Sequence, residues 1–229
     1  MLNRSQEQLL LEGANLFLIT LPGDALARCT IFIEEIQRWS KIVDLLSQTD
    51  PETIIRKHII DSFSLLPLIP SGSRVLDLGS GAGFPGIPIA TANPNIQATL
   101  IEARRKRANF LKEVIRTLNL HNSRAYEGRA EKLAEEKGWQ IGFDVVVTRA
   151  TWNITTFLHF ANPFLRRNGT AIAMKGPKSQ EELTELEESR ESQEFSSPTI
   201  MPYSLPGNEK RTLAIFTKIS PAEYVSRKT

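Results

Sequence analysis

The chain has 229 residues, 41% hydrophobic and 24% charged, which is long enough for one large domain or a core domain with a small appendage. Its single cysteine, Cys29, excludes an intramolecular disulfide framework and a cysteine-based structural zinc site. The net charge of +2 indicates no global attraction to nucleic acid, and the apolar stretches are too short to span a membrane. Because the N-terminus lacks the apolar core of a secretory signal, we expect a cytoplasmic protein.

The first seventy residues are expected to be helical. Apolar residues recur at steps of three and four, which predicts a helix that includes Phe32, Ile36, Trp39, Val43 and Leu46. Asp50 and Pro51 form a typical helix start, an N-cap followed by proline. A second apolar stripe follows them until prolines stop it, through Ile55, Ile59, Phe63 and Leu66 to Pro67 and Pro70. We therefore expect an N-terminal helical extension over residues 1–70, packed on a core domain over residues 71–229.

From Arg74 onward, strand and helix patterns alternate. The predicted strands cover residues 74–78, 98–102, 123–127, 143–148, 170–175, 198–203 and 211–218. Helices are predicted between the first five strands, beginning after Pro85 and around Arg104, Ala130 and Ile154. Continuous apolar runs suit strands buried on both faces, and no helical pattern separates the last two strands. The pattern predicts a Rossmann-like α/β fold: a mostly parallel seven-stranded sheet, a C-terminal antiparallel hairpin, and ligands bound past the strands' carboxyl ends.

The most informative segment is the first predicted strand with the glycine-rich turn that follows it. The strand carries Asp77, and Gly79, Gly81 and Gly83 then alternate with other residues. Glycine lets the backbone adopt positive φ values and approach a ligand closely. A strand, a carboxylate and Gly-x-Gly-x-Gly are typical of loops that bind S-adenosylmethionine. The same segment also matches the G-x-G-x-x-G of dinucleotide sites, with Gly86 as the third glycine.

A second acidic residue, Glu102, ends the next predicted strand, about twenty residues beyond the glycines. Its carboxylate can accept hydrogen bonds from both ribose hydroxyls of S-adenosylmethionine or NAD, or it only caps the following helix. Two features favour the methyl donor. Asp77 would repel two phosphates but can help to hold the donor's ammonium group. Pro85 and Pro88 remove amide donors that a pyrophosphate would need.

The loop from Gly79 to Pro88, Gly-Ser-Gly-Ala-Gly-Phe-Pro-Gly-Ile-Pro, resembles the signature of the bacterial 16S ribosomal RNA guanine-N7 methyltransferase G family, also called glucose-inhibited division protein B. Four other segments resemble family motifs: Arg56-Lys57-His58-Ile59-Ile60-Asp61-Ser62, Gly128-Arg129-Ala130-Glu131, Val147-Thr148-Arg149-Ala150 and Met174-Lys175-Gly176. The resemblance runs from Trp39 to Gly176. It implies a class I S-adenosylmethionine-dependent methyltransferase that acts on 16S ribosomal RNA, in the small ribosomal subunit or its assembly intermediate.

The resemblance also implies residue roles. Those that bind the donor are Gly79 and Phe84 at the methionine and sulfonium end, Glu102, Ala103 and Arg104 at the ribose, Ala130 and Glu131 at the adenine, and Arg149 closing the pocket, with Asp77 and Gly81 from the loop. Lys175 would face RNA phosphate. His58 and Asp61 share a helix face and could hydrogen-bond, either to bind substrate or to anchor the N-terminal helices. The chain departs from the family at residues 103–105 and at Asp44, which replaces an asparagine.

Charge is distributed unevenly along the chain. Residues 104–129 carry eight basic side chains against Glu113 and Glu127, and residues 181–194 carry seven glutamates and one arginine. The ordinary interpretation of such runs is a solvated helix face. The functional interpretation of the basic run is a surface that meets RNA phosphates, with Arg105 and Arg107 as candidate contacts. The glutamate-rich run is assigned no function.

Methylation at guanine N7 needs no general base, because N7 has an outward lone pair and no proton. Positioning and water exclusion can supply about 7–11 kcal/mol of the rate enhancement. We therefore predict no acid–base catalyst, and no metal site, since none of the three histidines has metal-ligand spacing. Alternatives are a methyltransferase of this fold with another substrate, a nicotinamide-dependent oxidoreductase, and a non-catalytic ribosome-binding module. We expect a monomer, and the sequence does not identify the guanine.

Overall fold

The computed structural model describes residues 1–136, 138–139, 142–149, 151–176, 180–187 and 189–219. Seven strands form one sheet: β1 (Arg74–Leu78), β2 (Gln97–Glu102), β3 (Ser123–Glu127), β4 (Phe143–Arg149), β5 (Leu165–Lys175), β6 (Thr199–Leu205) and β7 (Glu209–Thr217). Their order across the sheet is β3-β2-β1-β4-β5-β7-β6. Ala150 of a predicted motif, Glu188 of the glutamate-rich run and residues 220–229 of the predicted core domain lie outside the described residues.

The strand pairing confirms the predicted fold. β1 is parallel to β2 and β4, β2 to β3, and β4 to β5, whereas β7 is antiparallel to both β5 and β6. Successive strands are added on one side of β1 up to β3, and β4 then lies on the other side of β1. The carboxyl ends of β1 and β4 therefore border the crevice where α/β sheets bind ligands. β5 begins before the predicted residue 170, because Leu165 also pairs with Phe143 across a register shift.

The α-helices are α1 (Arg4–Leu16), α2 (Ala25–Trp39), α3 (Pro51–Ile54), α4 (Ile60–Phe63), α5 (Gly86–Ala92), α6 (Arg105–Thr117), α7 (Ala130–Glu135), α8 (Ile154–Ala161) and α9 (Gln180–Glu187). Helices α5 to α8 connect the first five strands as predicted. The predicted helix through Leu46 is too long, because α2 ends at Trp39. Val43 and Leu46 lie beyond it and still pack against the core, since a loop that crosses the core can keep the apolar spacing of a helix.

The second N-terminal helix begins as predicted but is not continuous. Asp50 caps it, accepting a hydrogen bond from the Thr53 N–H at 2.9 Å. A π turn over Ile55–Ile59 separates α3 from α4. Such turns are frequent at functional sites. Here the carbonyl of Lys57 within the turn accepts a hydrogen bond from Arg149 Nη1 at 3.2 Å, at the end of β4.

Buried apolar side chains cover both faces of the sheet. One cluster joins β1 and β4 to the helices α2, α4, α5 and α6 and includes Phe32, Phe63, Ile87 and Phe110. The other cluster joins the opposite face to α8 and α9 and includes Phe157, Leu158 and Leu186. The N-terminal helices therefore share the core of the sheet. Within the described ranges, no helix is long and apolar enough to cross a membrane.

Candidate active site

A cavity of about 390 Å³ lies at the carboxyl ends of the first four strands. We call it the strand-end cavity, and its walls are Gly79, Ile101, Glu102, Ala103, Arg104, Arg107, Gly128, Arg129, Ala130, Glu131, Thr151 and Trp152. Its size falls within the range of about 300–1,000 Å³ that is typical of small-molecule sites. The structure brings together here most of the residues predicted to hold the donor: Gly79, Glu102, Ala103, Arg104, Ala130 and Glu131.

Glu102 ends β2 and is only 6% exposed. Its Oε2 accepts a hydrogen bond from the Gly81 N–H at 3.0 Å, and its Oε1 accepts one from the Arg104 N–H at 2.8 Å. An ionised carboxylate offers about four lone-pair sites, so two hydrogen bonds leave capacity for ribose hydroxyls. The two interpretations of Glu102 are therefore compatible, because the side chain shapes the turn before α6 and also lines the cavity.

Both the backbone conformation and the neighbouring side chains favour a glycine at position 79. Its φ of +72° lies in the left-handed region, and its N–H donates to the Ile101 carbonyl at 2.9 Å. A Cβ here would lie 3.0 Å from side-chain atoms of Thr151 and 3.3 Å from Cη2 of Trp152. A side chain at this position would therefore fill the space between the glycine loop and the segment after β4.

Asp77 does not line the strand-end cavity. It is 1% exposed, its Oδ2 accepts a hydrogen bond from the Gly86 N–H at 2.9 Å, and its Oδ1 has no hydrogen-bond partner among the described residues. Burial raises the pKa of this carboxyl to about 7, although the Gly86 hydrogen bond opposes the shift. Asp77 therefore supports the loop from behind and does not itself reach a ligand's ammonium group.

The start of α5 has its first-turn amides occupied by the protein itself. The Gly86 N–H donates to Asp77, and the Ile87 N–H donates to the Gly83 carbonyl at 2.8 Å. Pro85 and Pro88 carry no N–H. The buried carboxyl of Asp77 also occupies the positive end of the helix dipole, where a dinucleotide would place a phosphate. This arrangement favours the methyl donor over NAD.

Phe84 and Arg149 have their side chains outside the strand-end cavity, contrary to the role that the resemblance implies for them. Phe84 is 3% exposed, and its ring centroid lies 5.2 Å from that of Phe32 and 5.1 Å from that of His58. The guanidinium of Arg149 lies 5.0 Å from the Phe84 centroid and donates to His58 Nδ1 at 2.7 Å. Both side chains connect the glycine loop and β4 to the N-terminal helices, so their influence on the cavity is indirect.

Asp61 is the centre of a polar network that also includes His58, Arg149, Tyr203 and Arg211. Its Oδ2 accepts a hydrogen bond from Arg149 Nη1 at 3.3 Å, its Oδ1 accepts one from the Tyr203 hydroxyl at 2.6 Å, and Arg211 Nε lies 3.7 Å from Oδ1. Within the described chain His58 and Asp61 are joined through Arg149 and not to each other. Burial and the charge of Arg149 lower the pKa of His58 to about 3, so its ring is neutral. The network favours the anchoring interpretation of this motif.

Lys175, the predicted RNA contact, is paired inside the protein. At the end of β5 its Nζ lies 2.8 Å from Glu182 Oε2 and also donates to the Trp152 carbonyl, and its side chain is 9% exposed. A buried ammonium group that already has an anionic partner is poorly placed to attract phosphate. The partner comes from α9, which contains part of the glutamate-rich run.

The two arginines predicted to contact RNA lie in different surroundings. Arg105 is exposed and lies outside the strand-end cavity, whereas Arg107 lines the cavity. Arg107 Nε also donates to the backbone carbonyl of Asp44 at 2.9 Å. Replacing Arg107 would therefore disturb the cavity as well as any RNA contact. The Asp44 carboxylate also lies near this guanidinium, with Oδ2 3.5 Å from Arg107 Nη2.

Thr151 and Trp152 line the cavity but were not among the predicted site residues. They follow β4 directly, at the point where the sheet order reverses. Their position two and three residues after the end of a switch-point strand is the signal that points to them. Their residue types carry no such signal, because threonine and tryptophan occur in many loops and cores.

The sheet order, the closing hairpin and an acidic strand end beside a glycine loop define a class I S-adenosylmethionine-dependent methyltransferase fold. A putative O-methyltransferase from Klebsiella pneumoniae has a TM-score of 0.62 at 16% identity, over 95% of this chain and 100% of that chain. The O-methyltransferase TomG from Streptomyces achromogenes, solved in complex with S-adenosylmethionine, has a TM-score of 0.59 at 14% identity, over 96% and 100%. These likenesses concern the fold alone.

The chain belongs to the rRNA small subunit methyltransferase G family, whose model matches residues 25–209. It is 38% identical over 167 residues to the ribosomal RNA small subunit methyltransferase G of Desulfitobacterium hafniense strain Y51. The aligned residues cover 73% of this chain and 70% of the relative. It is 34% identical over 213 residues to the protein of the same name from Geobacter sp. strain M21, which covers 93% of this chain and 97% of the relative.

Proposed function

We propose that this protein transfers the methyl group of S-adenosylmethionine to N7 of a guanine in 16S ribosomal RNA. The observation that carries the proposal is the strand-end cavity, where Glu102 lies beside a glycine loop at the carboxyl ends of the strands. Glu102 would hold the donor's ribose, Gly79 its methionine end, and Ala130 with Glu131 its adenine. Membership of the methyltransferase G family supports ribosomal RNA as the methyl acceptor.

The chemistry places few demands on the protein's side chains. When bound, S-adenosylmethionine would supply an activated methyl group: the N7 lone pair would bond to the methyl carbon as the carbon–sulfur bond breaks, which leaves S-adenosylhomocysteine and a cationic guanine. Because N7 has no proton to lose, no general base is needed. Within the described residues, no group of three or more His, Cys, Asp or Glu side chains could hold a metal ion. The protein's contribution is to align N7 with the methyl group and to exclude water, which can supply about 7–11 kcal/mol.

Three alternative functions would each give a different experimental result. A nicotinamide-dependent oxidoreductase is disfavoured by the start of α5, whose amides are already used by the Asp77 carboxyl and the Gly83 carbonyl. A methyltransferase of the same fold with another substrate would bind the donor but leave ribosomal RNA unlabelled. A non-catalytic ribosome-binding module would bind the small subunit and transfer no methyl group.

Incubation with radiolabelled S-adenosylmethionine tests the proposal. Naked 16S ribosomal RNA, an assembly intermediate and finished small subunits are offered in parallel, and the labelled base is then mapped. We expect label at N7 of one guanine in at least one substrate, and a strong loss of label with Glu102→Ala. If calorimetry detects donor binding while no RNA is labelled, the catalytic assignment fails.

We also propose that the protein acts as a cytoplasmic monomer. Residues 1–70 would be an extension of the donor-binding domain over residues 71–229. The shared core of the N-terminal helices and the sheet supports this arrangement. Light scattering after size exclusion measures the mass directly, and a dimer at micromolar concentration would contradict the proposal.

A further inference from the structure

Among the described residues that line the strand-end cavity, Trp152 is the only aromatic one. Its ring atom Cη2 would lie 3.3 Å from a Cβ built on Gly79, so the indole borders the space that this glycine leaves open. The left-handed φ of Gly79 and the close approach of the indole occur at the same point. The glycine loop and the Trp152 ring therefore adjoin each other in the wall at one end of the cavity.

Two contacts hold the Trp152 ring and backbone in place. The ring packs edge-on against Phe160 of α8, with centroids 5.4 Å apart and planes at 71°. The backbone carbonyl accepts a hydrogen bond from Lys175 Nζ at the end of β5. The wall after β4 is thus tied both to the helix that follows it and to the neighbouring strand.

Glu182 completes this arrangement from the glutamate-rich helix α9. Its Oε2 lies 2.8 Å from Lys175 Nζ and also accepts a hydrogen bond from the Ile154 N–H at 2.8 Å, at the first residue of α8. One carboxylate oxygen therefore both neutralises Lys175 and fixes the start of α8. Trp152 precedes Ile154 by two residues, and its carbonyl accepts a hydrogen bond from Lys175, so Glu182 contacts both groups that adjoin Trp152.

We propose that the indole of Trp152 contacts the donor's cationic sulfonium group, and that Lys175 and Glu182 are positioning residues that hold the Trp152 segment in place. The inference rests on the proposed function, which places the methionine and sulfonium end of the donor beside Gly79. Tryptophan is the strongest partner for a cation over its ring face, through the negative face of its π system. In this arrangement Lys175 acts through Trp152, and the glutamate-rich run gains a structural role in the site.

Comparing two ligands separates a sulfonium contact from general packing. S-adenosylmethionine is cationic at sulfur, whereas S-adenosylhomocysteine has the same adenosine and a neutral thioether. Calorimetry on Trp152→Leu should show a loss of affinity of about two- to thirtyfold for the cationic ligand and a clearly smaller loss for the neutral one. Trp152→Phe keeps an aromatic face and should recover most of the affinity. Equal losses for both ligands would overturn the proposal.

Intrinsic fluorescence gives a readout that needs neither catalysis nor RNA. The chain has three tryptophans, Trp39, Trp139 and Trp152. The emission change on adding S-adenosylmethionine should persist in Trp139→Phe and vanish in Trp152→Phe, and a full response in the latter contradicts the inference. A wild-type protein that binds neither ligand overturns the proposed function as well. One that binds both but methylates no RNA overturns the proposed function alone.

A matched pair of substitutions on α9 tests the supporting contact. Glu182→Gln keeps an oxygen that can accept from the Ile154 N–H but removes the charge that neutralises Lys175. We expect a loss of affinity for S-adenosylmethionine of about three- to tenfold. Glu181→Gln changes an exposed glutamate on the same helix and should leave the affinity unchanged. Equal affinities in the two variants would show that Glu182 does not position the site.

Discussion

The carboxylate of Glu102 is hydrogen-bonded to the glycine loop through the backbone N–H of Gly81, at 3.0 Å. The other oxygen of the same carboxylate accepts from the Arg104 N–H at 2.8 Å, at the N-cap of α6. One side chain therefore joins the two loops that flank the strand-end cavity. Loss of this carboxylate should therefore change the conformation of the glycine loop in the absence of ligand and also weaken ligand binding.

Glu102→Ala is expected to weaken S-adenosylmethionine binding by about 1.5–3 kcal/mol, because hydrogen bonds to a charged acceptor are lost. The control is Glu127→Ala. Glu127 is exposed and lies opposite Glu102 in the register of β2 and β3, but it does not line the cavity. Calorimetry on both variants measures the difference. Unchanged affinity in Glu102→Ala would reduce this residue to a structural role in its turn.

Asp77→Asn should change how stability depends on pH. The folded-state pKa of about 7 is above the ordinary value of 3.8, so between these values the folded protein keeps a proton that the unfolded chain has lost. The stability contributed by this proton is complete below the unfolded pKa and is lost as the pH rises through the folded pKa, at about 1.4 kcal/mol per pH unit. Asparagine does not ionise. The free energy of unfolding of the variant minus that of the wild type should therefore increase with pH up to about pH 7 and stay constant above it.

Urea unfolding of the wild type and Asp77→Asn at several pH values between about 5 and 8 measures this difference. The amide oxygen of asparagine can still accept from the Gly86 N–H, so the loop contact is kept. A difference in free energy that stays constant over this range would mean that Asp77 is already ionised in the fold.

His58 is expected to produce the opposite pH dependence. Its folded pKa of about 3 lies below the ordinary value of 6.5, so the stability it contributes is present above the unfolded pKa and is lost as the pH falls through the folded pKa. In His58→Asn the amide oxygen can accept from Arg149 without titrating. The wild type should lose stability relative to this variant by about 1.4 kcal/mol per pH unit of acidification below pH 6.5. A difference in free energy of unfolding between the two proteins that does not change with pH would contradict a buried, neutral imidazole.

Tyr203→Phe tests the Asp61 network without altering the cavity. The variant loses the hydroxyl that donates to Asp61 Oδ1 at 2.6 Å, which should cost about 1–3 kcal/mol of stability because a buried acceptor loses its donor. Tyr126→Phe removes a hydroxyl from a more exposed tyrosine and should change stability by less than about 0.5 kcal/mol. Similar thermal midpoints for both variants would show that the Tyr203 contact is weak.

Arg105 and Lys106 are exposed at the start of α6 and lie outside the strand-end cavity, so they test RNA binding separately from donor binding. Arg105→Ala with Lys106→Ala should lower the slope of log affinity against log salt by about 0.7–0.9 per lost phosphate contact. The control, Arg4→Ala with Arg190→Ala, removes the same charge from exposed positions elsewhere. Equal slopes for the two double variants would assign the basic run to a solvated face.

The sequence predicted the sheet well because local pattern and burial agree there. Strands β1, β2 and β4 are short apolar or alternating runs bounded by turn residues, and most of their residues are buried beneath the helices on the two faces of the sheet. The N-terminal helices were predicted less well. The π turn at Ile55–Ile59 leaves the apolar spacing almost unchanged, and the loop after Trp39 keeps the spacing of a helix.

Six of the residues predicted to bind the donor line the strand-end cavity, whereas the side chains of Phe84 and Arg149 lie outside it. Gly79, Glu102, Ala130 and Glu131 lie next to strand ends, so topology alone brings them to the strand-end cavity. Arg149 is the last residue of β4, but its guanidinium binds Asp61 and His58 of another segment. A side chain as long as arginine can reach several neighbours, and sequence does not state which one it meets.

The sequence by itself determined the fold class, the ligand loop and the acidic residue opposite it. These depend on backbone conformation and strand periodicity, which neighbouring residues in the chain encode. Only the tertiary structure decided that Asp77 supports the loop from behind, that Lys175 is neutralised by Glu182, and that Trp152 is a wall of the cavity. These contacts join residues far apart in sequence, and packing and desolvation, which arise only once the chain has folded, select them.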